Sequence, residues 1–351
     1  MTILLFFIVL AVLILSHEFG HFITAKKAGI RVDEFGFGFP PRIAKFKKGE
    51  TTYSLNLIPF GGFVKIHGEE GQEAADPRSF ASKSIGVRSL IISAGVIFNV
   101  LLAWILIIGG FSFGMPTSVS SAPEGVEVRD KKVVILQIGK DSPAEKAGLL
   151  PGDRILGYEN VDAVKEAIES RLGQAMTLNY QRGEENLTAE LVPRENPPPG
   201  EGAIGIAMDE VGTVRLPVHR AIWEGSIMTY HVVVGTAVGI YNFIAGAIAG
   251  EVGLSAITGP VGIAGIVGSA ADFGFVYFLS FMAFLSINLA IINIVPFPAL
   301  DGGRLLFLLI EKIKGTPVSA RISSIVHGAG MALLLLLMLL VTYKDIVKLI
   351  S

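Results

Sequence analysis

The chain has 351 residues, of which 51% are hydrophobic and 17% are charged. This balance is too apolar for an ordinary soluble domain and indicates a membrane protein. The formal net charge is −2 and no long basic run occurs, which argues against nucleic acid as a partner. The chain has no cysteine, so disulfides, thiolate metal ligands and cysteine nucleophiles are excluded. Any metal must therefore be held by His, Asp or Glu.

Residues 1–114 form the predicted N-terminal membrane part. Two apolar runs, at about 3–24 and 87–113, each have about the 20 residues that a membrane span requires. The first run lacks a basic n-region and a small-residue cleavage site. We therefore expect it to be a retained span rather than a cleaved signal peptide.

Between these two spans, residues from about 34 to 66 have the pattern of strands rather than of a helix. The stretch alternates β-branched and aromatic residues with polar ones around Pro59, Gly61 and Gly62. It is also more apolar than a fully solvated loop. These features predict a membrane-associated β-hairpin.

Residues 115–206 are charged, rich in β-forming residues and short of long apolar runs, which predicts a small soluble α+β domain with a linker. In "SPAEKAGLLPGDRI", Ser142 is a typical helix N-cap and Pro143 a typical first helical residue. The pattern closely resembles that of a PDZ domain. The stiff linker "ENPPPGEG" follows, and by the same resemblance "AIGIAM" after it supplies a peptide-binding edge strand.

The rest of the chain divides near residue 275. Residues 207–274 are predicted to form a surface amphipathic helix and a re-entrant-like connection. Residues 275–351 are predicted to hold two further spans, at about 275–297 and 325–343. The expected fold is therefore a mainly α membrane protein with four transmembrane helices, the β-hairpin and one inserted α+β PDZ domain.

Charge distribution predicts the topology. Basic residues are numerous directly after the first span and absent before it, which places the N-terminus outside and residues 26–86 in the cytoplasm. If residues 217–250 do not cross the membrane, the basic residues after the third span also reach the cytoplasm. If they cross, those charges lie outside. We therefore expect this segment to lie along the outer surface.

The motif "HEFGH" at residues 17–21 lies inside the first predicted span. Histidines at i and i+4 project from one face of a helix and can bind zinc, and the intervening Glu18 can reach a water beside the metal. Ionisable residues within a span cost several kcal/mol unless they face a polar cavity or each other, which favours a functional site. Solvated histidines at a helix end and a proton relay in a transporter are the alternatives.

A catalytic zinc site needs three protein ligands and one open position. In "NIVPFPALDGGRLLF", Asp301 follows an apolar helix that is interrupted by prolines, and the predicted topology places it on the same side of the membrane as His17 and His21. Asp301 is therefore our third ligand. On the alternative interpretation, it is only the N-cap of the following helix.

Five features occur in order across nearly the whole chain: "HEFGH" in a first span, "IPFGGFVKIHGEE", the PDZ-like segment, "TGPVGIAG" and "NIVPFPALDGG". Together they resemble the site-2 protease family of intramembrane zinc metalloproteases, in the bacterial branch of the regulator of sigma-E protease. The resemblance implies that His17, His21 and Asp301 bind Zn2+ and that Glu18 is the catalytic acid/base. Two features depart from it. The enterobacterial type carries two PDZ domains, whereas one is found here, and "AGVIFN" lacks the proline that often follows the glycine.

The resemblance also implies an activity and a place in the cell. The expected enzyme hydrolyses peptide bonds in or near the transmembrane segment of single-pass membrane proteins, such as anti-sigma factors or signal-peptide remnants. It spans the bacterial inner membrane, contacts membrane lipids, and has its PDZ domain outside and its active site toward the cytoplasm. A non-enzymatic membrane adaptor that acts through its PDZ domain is the competing function.

A helical substrate must be extended before its carbonyls can be attacked. An exposed strand within residues 51–66 can bind an extended substrate by β-augmentation, and Gly61 and Gly62 permit close approach. A plain loop hairpin is the alternative. Asn99, Asn288 and Asn293 are further expected substrate-binding residues, although asparagine in spans more often bonds a neighbouring helix.

Overall fold

The computed structural model describes residues 1–69, 75–251, 253 and 257–350. Its helices are α1 Thr2–Lys27, α2 Ile85–Phe113, α3 Pro143–Lys146, α4 Val161–Glu169, α5 Val218–Ile248, α6 Pro260–Asp272, α7 Phe275–Ile294, α8 Asp301–Lys314 and α9 Ala320–Ile350. Its strands are β1 Val32–Lys48, β2 Thr51–Ile66, β3 Met115–Ser118, β4 Arg129–Ile138, β5 Arg154–Ile155, β6 Met176–Arg182, β7 Glu185–Leu191 and β8 Ile206–Val214. The chain divides into two compact units.

The first unit comprises residues 1–108, 225–271 and 278–351. Its apolar helices pack along α1, where Phe6, Val9 and Leu13 form a buried cluster with Val267 of α6 and Met282 of α7. A second cluster lies at the other end of α1 and includes residues of α2, β1 and α8. The packing of α1 against α2, α7 and α8 positions the site described below.

β1 and β2 form an antiparallel hairpin over the stretch where strands were expected. The turn between Lys48 and Thr51 has Gly49 in the left-handed region at φ 63°, a conformation that glycine adopts without strain. Large apolar side chains are exposed along both strands, including those of Phe39, Ile43 and Leu57. An exposed apolar surface of this kind suits contact with lipid or with another chain.

Among the described residues, five helices are long and apolar enough to cross a membrane, by length and composition only. α1, α2 and α9 contain three of the four predicted spans, α7 covers the other up to Ile294, and α5 is the additional helix. None of the most apolar 18-residue window of α5 is buried within the protein. The placement of α5 along the outer surface stays a prediction.

The second unit, residues 109–224 and 272–277, is an α+β structure with a six-stranded antiparallel sheet in the order β3-β8-β4-β5-β6-β7. α3 begins where expected, with the Ser142 hydroxyl accepting a hydrogen bond from the backbone N–H of Glu145. Burial of the sheet face creates a core that includes Ile135, Leu149 and Leu178. The predicted domain limit at residue 206 is wrong, because β8 begins there and lies second in the sheet.

β8 is not a free edge over its whole length. It pairs with β4, and its residues Val211–Val214 also pair with β3. Only the first half of β8 keeps an edge without a strand partner in the described residues. Next to this sheet, the buried Asp153 carboxylate accepts two hydrogen bonds from Arg182 and raises the pKa of the guanidinium.

Candidate metal centre

The buried face of α1 carries the two histidines. Val9, Leu13, His17 and His21 recur every four residues, so an apolar stripe that packs on neighbouring helices continues into two imidazoles. His17 and His21 are 8% and 9% exposed. The helical period therefore brings both rings to one interior point.

Asp301 reaches the same point through a tight turn between α7 and α8. α7 ends at Ile294 before Pro296 and Pro298, and Ala299 has a positive φ of 78°. Such a conformation costs a non-glycine residue about 1–2 kcal/mol. Asp301 is the first residue of α8 and the N-cap position belongs to Leu300, so its side chain is not a helix cap.

The donor atoms of these three residues form a small triangle. The Oδ2 atom of Asp301 lies 3.1 Å from Nε2 of His17 and 3.3 Å from Nε2 of His21, and the two Nε2 atoms are 3.1 Å apart. A tetrahedral zinc ion with bonds of about 2.0–2.1 Å separates its ligand atoms by about 3.3 Å. The triangle therefore has the dimensions that a zinc ion requires.

Contacts around the three donor atoms favour the binding of a cation. The Nδ1 atom of His21 lies 2.8 Å from the backbone oxygen of Ile91; donation to that oxygen leaves a lone pair on Nε2. Burial opposes ionisation of Asp301, but the adjacent imidazoles lower the pKa of its carboxyl, so it is an anion at neutral pH. Nδ1 of His17 is buried without a hydrogen-bond partner among the described residues.

Glu18 lies between the two histidines, where α1 meets the hairpin. A β-carbon built on Gly62 of β2 would lie 2.7 Å from Ile14 Cγ2 and 3.0 Å from Glu18 Cγ. Gly62 therefore allows the strand backbone to pack directly beside Glu18. A β-carbon on Gly61, which has φ 157°, would instead collide with the ring of Phe39.

The predicted asparagines occupy three different environments. Asn99 on α2 is fully buried, and neither atom of its amide group has a hydrogen-bond partner in the part of the chain that the structure describes. Its backbone oxygen accepts a hydrogen bond of 2.7 Å from Ser286. Asn288 donates to the carbonyl of Phe284 in its own helix, and Asn293 is partly buried near the end of α7.

Besides the contacts of Asp301, two ion pairs within the described part of the chain hold α8, and the sequence predicted neither. Arg88 of α2 makes a bidentate pair with Glu311 of α8, at 3.0 and 2.5 Å, and both side chains are nearly buried. Arg304, one turn after Asp301, pairs with Glu69 in the segment after β2.

Gly95 of α2 was also not predicted as a functional residue from the sequence, although a glycine inside an apolar helix is itself a signal of a packing or functional requirement.

Two imidazoles, one carboxylate and an adjacent glutamate in the interior of a helical membrane protein define the class of membrane-embedded zinc hydrolases. Comparison with known proteins gives the family. The chain matches peptidase family M50 over residues 5–337 and belongs to this family, that of the site-2 proteases.

Characterised relatives extend over the full length of the chain. The zinc metalloprotease RasP of Geobacillus kaustophilus is 30% identical, with 99% of this chain and 98% of the relative aligned. The regulator of sigma-E protease RseP of Escherichia coli is 30% identical, with 98% of each chain aligned. The chain is therefore a zinc metalloprotease of the membrane, which decides against the non-enzymatic adaptor.

Proposed function

We propose that the protein is an intramembrane endopeptidase that cleaves single-pass membrane proteins in or beside their transmembrane segments, with Zn2+ held by His17, His21 and Asp301. The observation that carries the proposal is the triangle of donor atoms, with edges of 3.1 to 3.3 Å, inside the helical unit. Carboxylate and imidazole donors match the preferences of zinc. Three protein ligands would leave the fourth coordination position for water or substrate.

The bound ion would act as a Lewis acid that polarises the scissile carbonyl and acidifies a water molecule. Glu18 is the proton carrier. Its carboxylate accepts a proton from the attacking water and later donates it to the leaving amine as the peptide C–N bond breaks. The position of Glu18 between the two histidines suits both transfers.

The substrate must present an extended backbone to this site. Residues 52–55 of β2 pair with β1 on both edges, since Tyr53 lies opposite both Phe35 and Phe46. Residues 62–66 of β2 pair with β1 along one edge only, and their other edge has no strand partner among the described residues. An extended substrate segment adds to that edge by β-augmentation, close to Glu18 because Gly62 brings the strand against α1. Asn99, Asn288 and Asn293 are proposed to bind backbone groups that the unwound substrate exposes.

The proposed substrate class is supported by the membrane location of the site and by the name of one relative. One relative is a regulator of sigma-E protease by name, which supports anti-sigma factors as substrates, and signal-peptide remnants have the same single-span character. We place the enzyme in the bacterial inner membrane, with four spans, the metal centre toward the cytoplasm and membrane lipids around it. The second unit is proposed to be an extracytoplasmic PDZ domain that selects substrates.

Glu18→Gln tests the proposed chemistry. Without a proton carrier, kcat for a single-pass model substrate is expected to fall by about 10³-fold or more, while one zinc per chain remains bound. His17→Ala and Asp301→Ala are expected to lose both zinc and activity. Glu185→Gln, at an exposed position on β7, is the matched control and should leave both unchanged. Cleavage by Glu18→Gln at the wild-type rate would refute the role of Glu18.

A further inference from the structure

Gly95 occupies a position where glycine is not expected from local structure. It lies inside α2, in the run "SAGVIFN", and glycine is less favourable in a helix interior than any residue except proline. Gly86, near the start of the same helix, faces open space, with no atom within 4 Å of the place where a β-carbon would be. The surroundings of Gly95 are very different.

A β-carbon built on Gly95 would fall among the donor atoms of the metal centre. It would lie 2.4 Å from Nε2 of His21, 2.6 Å from Cε1 of His17 and 2.7 Å from Nε2 of His17. A zinc ion lies about 2.0–2.1 Å from an imidazole nitrogen. The missing side chain would therefore lie nearly as close to both Nε2 atoms as a bound zinc ion does.

The backbone of α2 cannot retreat from this point, because three contacts hold it on α1. A β-carbon on Gly20 would lie 2.4 Å from the carbonyl oxygen of Ala94, so the two backbones touch there. On either side of this contact, Ser16 Oγ donates to Phe98 O at 3.2 Å, and Nδ1 of His21 lies 2.8 Å from Ile91 O. Gly95 therefore stays against both imidazoles.

We propose that Gly95 is a positioning residue that keeps open the volume of the metal ion, so that the bare backbone of α2 forms one wall of the metal centre. The proposal rests on the assignment of zinc to His17, His21 and Asp301. Any side chain at position 95 would compete with the ion for its place. Gly95 sets metal occupancy without contributing a ligand atom.

Gly95→Ala in the full-length purified protein tests this role, with Gly86→Ala on the same helix as the matched control. Zinc ion alone is the probe, and its affinity is measured by competition with a chelator. Gly95→Ala is expected to weaken zinc binding by about 100-fold or more, beyond the usual effect of losing an outer-shell partner. Gly86→Ala should bind as the wild type does. Wild-type affinity in Gly95→Ala would overturn the proposal.

Melting temperatures separate loss of the ion from loss of the fold. Without zinc, the imidazoles can turn away from the added methyl group and alanine favours the helix, so metal-free Gly95→Ala should melt no lower than the metal-free wild type. Added zinc should raise the melting temperature of the wild type and of Gly86→Ala but not that of Gly95→Ala. A lower metal-free melting temperature would assign Gly95 to helix packing instead and overturn the proposal. Absence of zinc from the wild type would refute the metal assignment itself.

Discussion

Gly302 and Gly303, which follow Asp301, are required by the backbone of the preceding turn. A β-carbon on Gly302 would lie 2.1 Å from the carbonyl oxygen of Val295, and one on Gly303 would lie 2.4 Å from that of Phe297. A backbone oxygen cannot turn aside as the end of a side chain can. The two glycines therefore let α8 start directly against the end of α7, which carries Asp301 to the histidines.

Gly302→Ala is accordingly expected to lower the free energy of unfolding by about 3 kcal/mol and to reduce zinc affinity, because Asp301 moves with the displaced turn. Gly328→Ala on α9 is the control, since nothing lies within 4 Å of its β-carbon position. Denaturant unfolding and chelator competition measure the two effects. Unchanged zinc affinity in Gly302→Ala would show that the turn does not position Asp301.

At the residue scale, the sequence indicated the residues that meet at the proposed metal centre better than those that make room for them. His17, Glu18 and His21 follow from helical spacing alone. Asp301 required a topological argument or a family resemblance, because it comes from the far end of the chain. Gly95 has no side chain to recognise, and its role depends on contacts with another helix.

The Arg88–Glu311 pair links two elements that are 223 residues apart in sequence. Both side chains are nearly buried, at 13% and 14% exposure. Removing one partner of a buried pair costs about 3–5 kcal/mol, because the other charge is left unpaired. Since Glu311 belongs to the helix that begins with Asp301, the pair also fixes α8 against α2.

Arg88→Glu and Glu311→Arg are each expected to lower stability and zinc affinity, and the double swap is expected to recover most of both losses. Unfolding and zinc titrations of the four proteins form a double-mutant cycle. The Arg304–Glu69 pair, left intact, serves as the internal reference for α8. Losses that simply add in the double variant would mean that the pair has no coupling energy.

The elements themselves were largely predictable from local patterns. Alternation indicated the hairpin, and apolar length indicated four of the five helices that can span a membrane. The order of the six-stranded sheet was not predictable, because β3 and β8 lie about 90 residues apart on either side of the other strands. This long-range pairing also explains the error at residue 206.

At the scale of the whole molecule, the second unit is expected to be dispensable for the proposed metal centre, because His17, His21 and Asp301 all belong to the first unit. A clean deletion must remove residues 115–214, since a deletion that ends at 206 would leave β8 without the rest of its sheet. Replacing them with a flexible Gly/Ser linker is expected to preserve one zinc per chain and to change which single-pass substrates are cleaved. Unchanged selectivity across a panel of substrates would exclude the unit from substrate choice.

The packing of the first unit also constrains how the chain crosses the membrane. Leu13 of α1 packs in one cluster with Met282 of α7, and His21 meets Asp301 just beyond α7, so these two helices run in the same direction. α2 runs opposite to α1, because its Ile91 contacts His21 and its later residue Phe98 accepts a hydrogen bond from the earlier Ser16. The chain must therefore cross an even number of times, or not at all, between α2 and α7.

The C-terminal end of α9 shows which side the segment before α6 occupies. Lys344 donates to the carbonyl of Ile257 at 2.6 Å, and Asp345 accepts from the backbone N–H of Gly262 at 2.9 Å. α9 passes the turn that follows α7, where Gly330 lies against Pro298, and runs back from there. Residues 257–262 therefore lie on the same side as the N-terminus of α1, which Gly268 of α6 also contacts at Thr2.

α5 is consequently expected to begin and end outside. It begins there because Gly225 lies against Ile108, near the C-terminal end of α2. It ends there because the seven residue-to-residue steps from Gly250 to Ile257 reach about 25 Å at most, less than the roughly 30 Å of a hydrocarbon core. Reporters fused after Gly250 and after Gly183 should both indicate an extracytoplasmic location. A reporter fused after Lys48 should indicate a cytoplasmic location. A cytoplasmic signal at Gly250 would contradict this topology, because Ile257 and Lys344 could then no longer meet across the membrane.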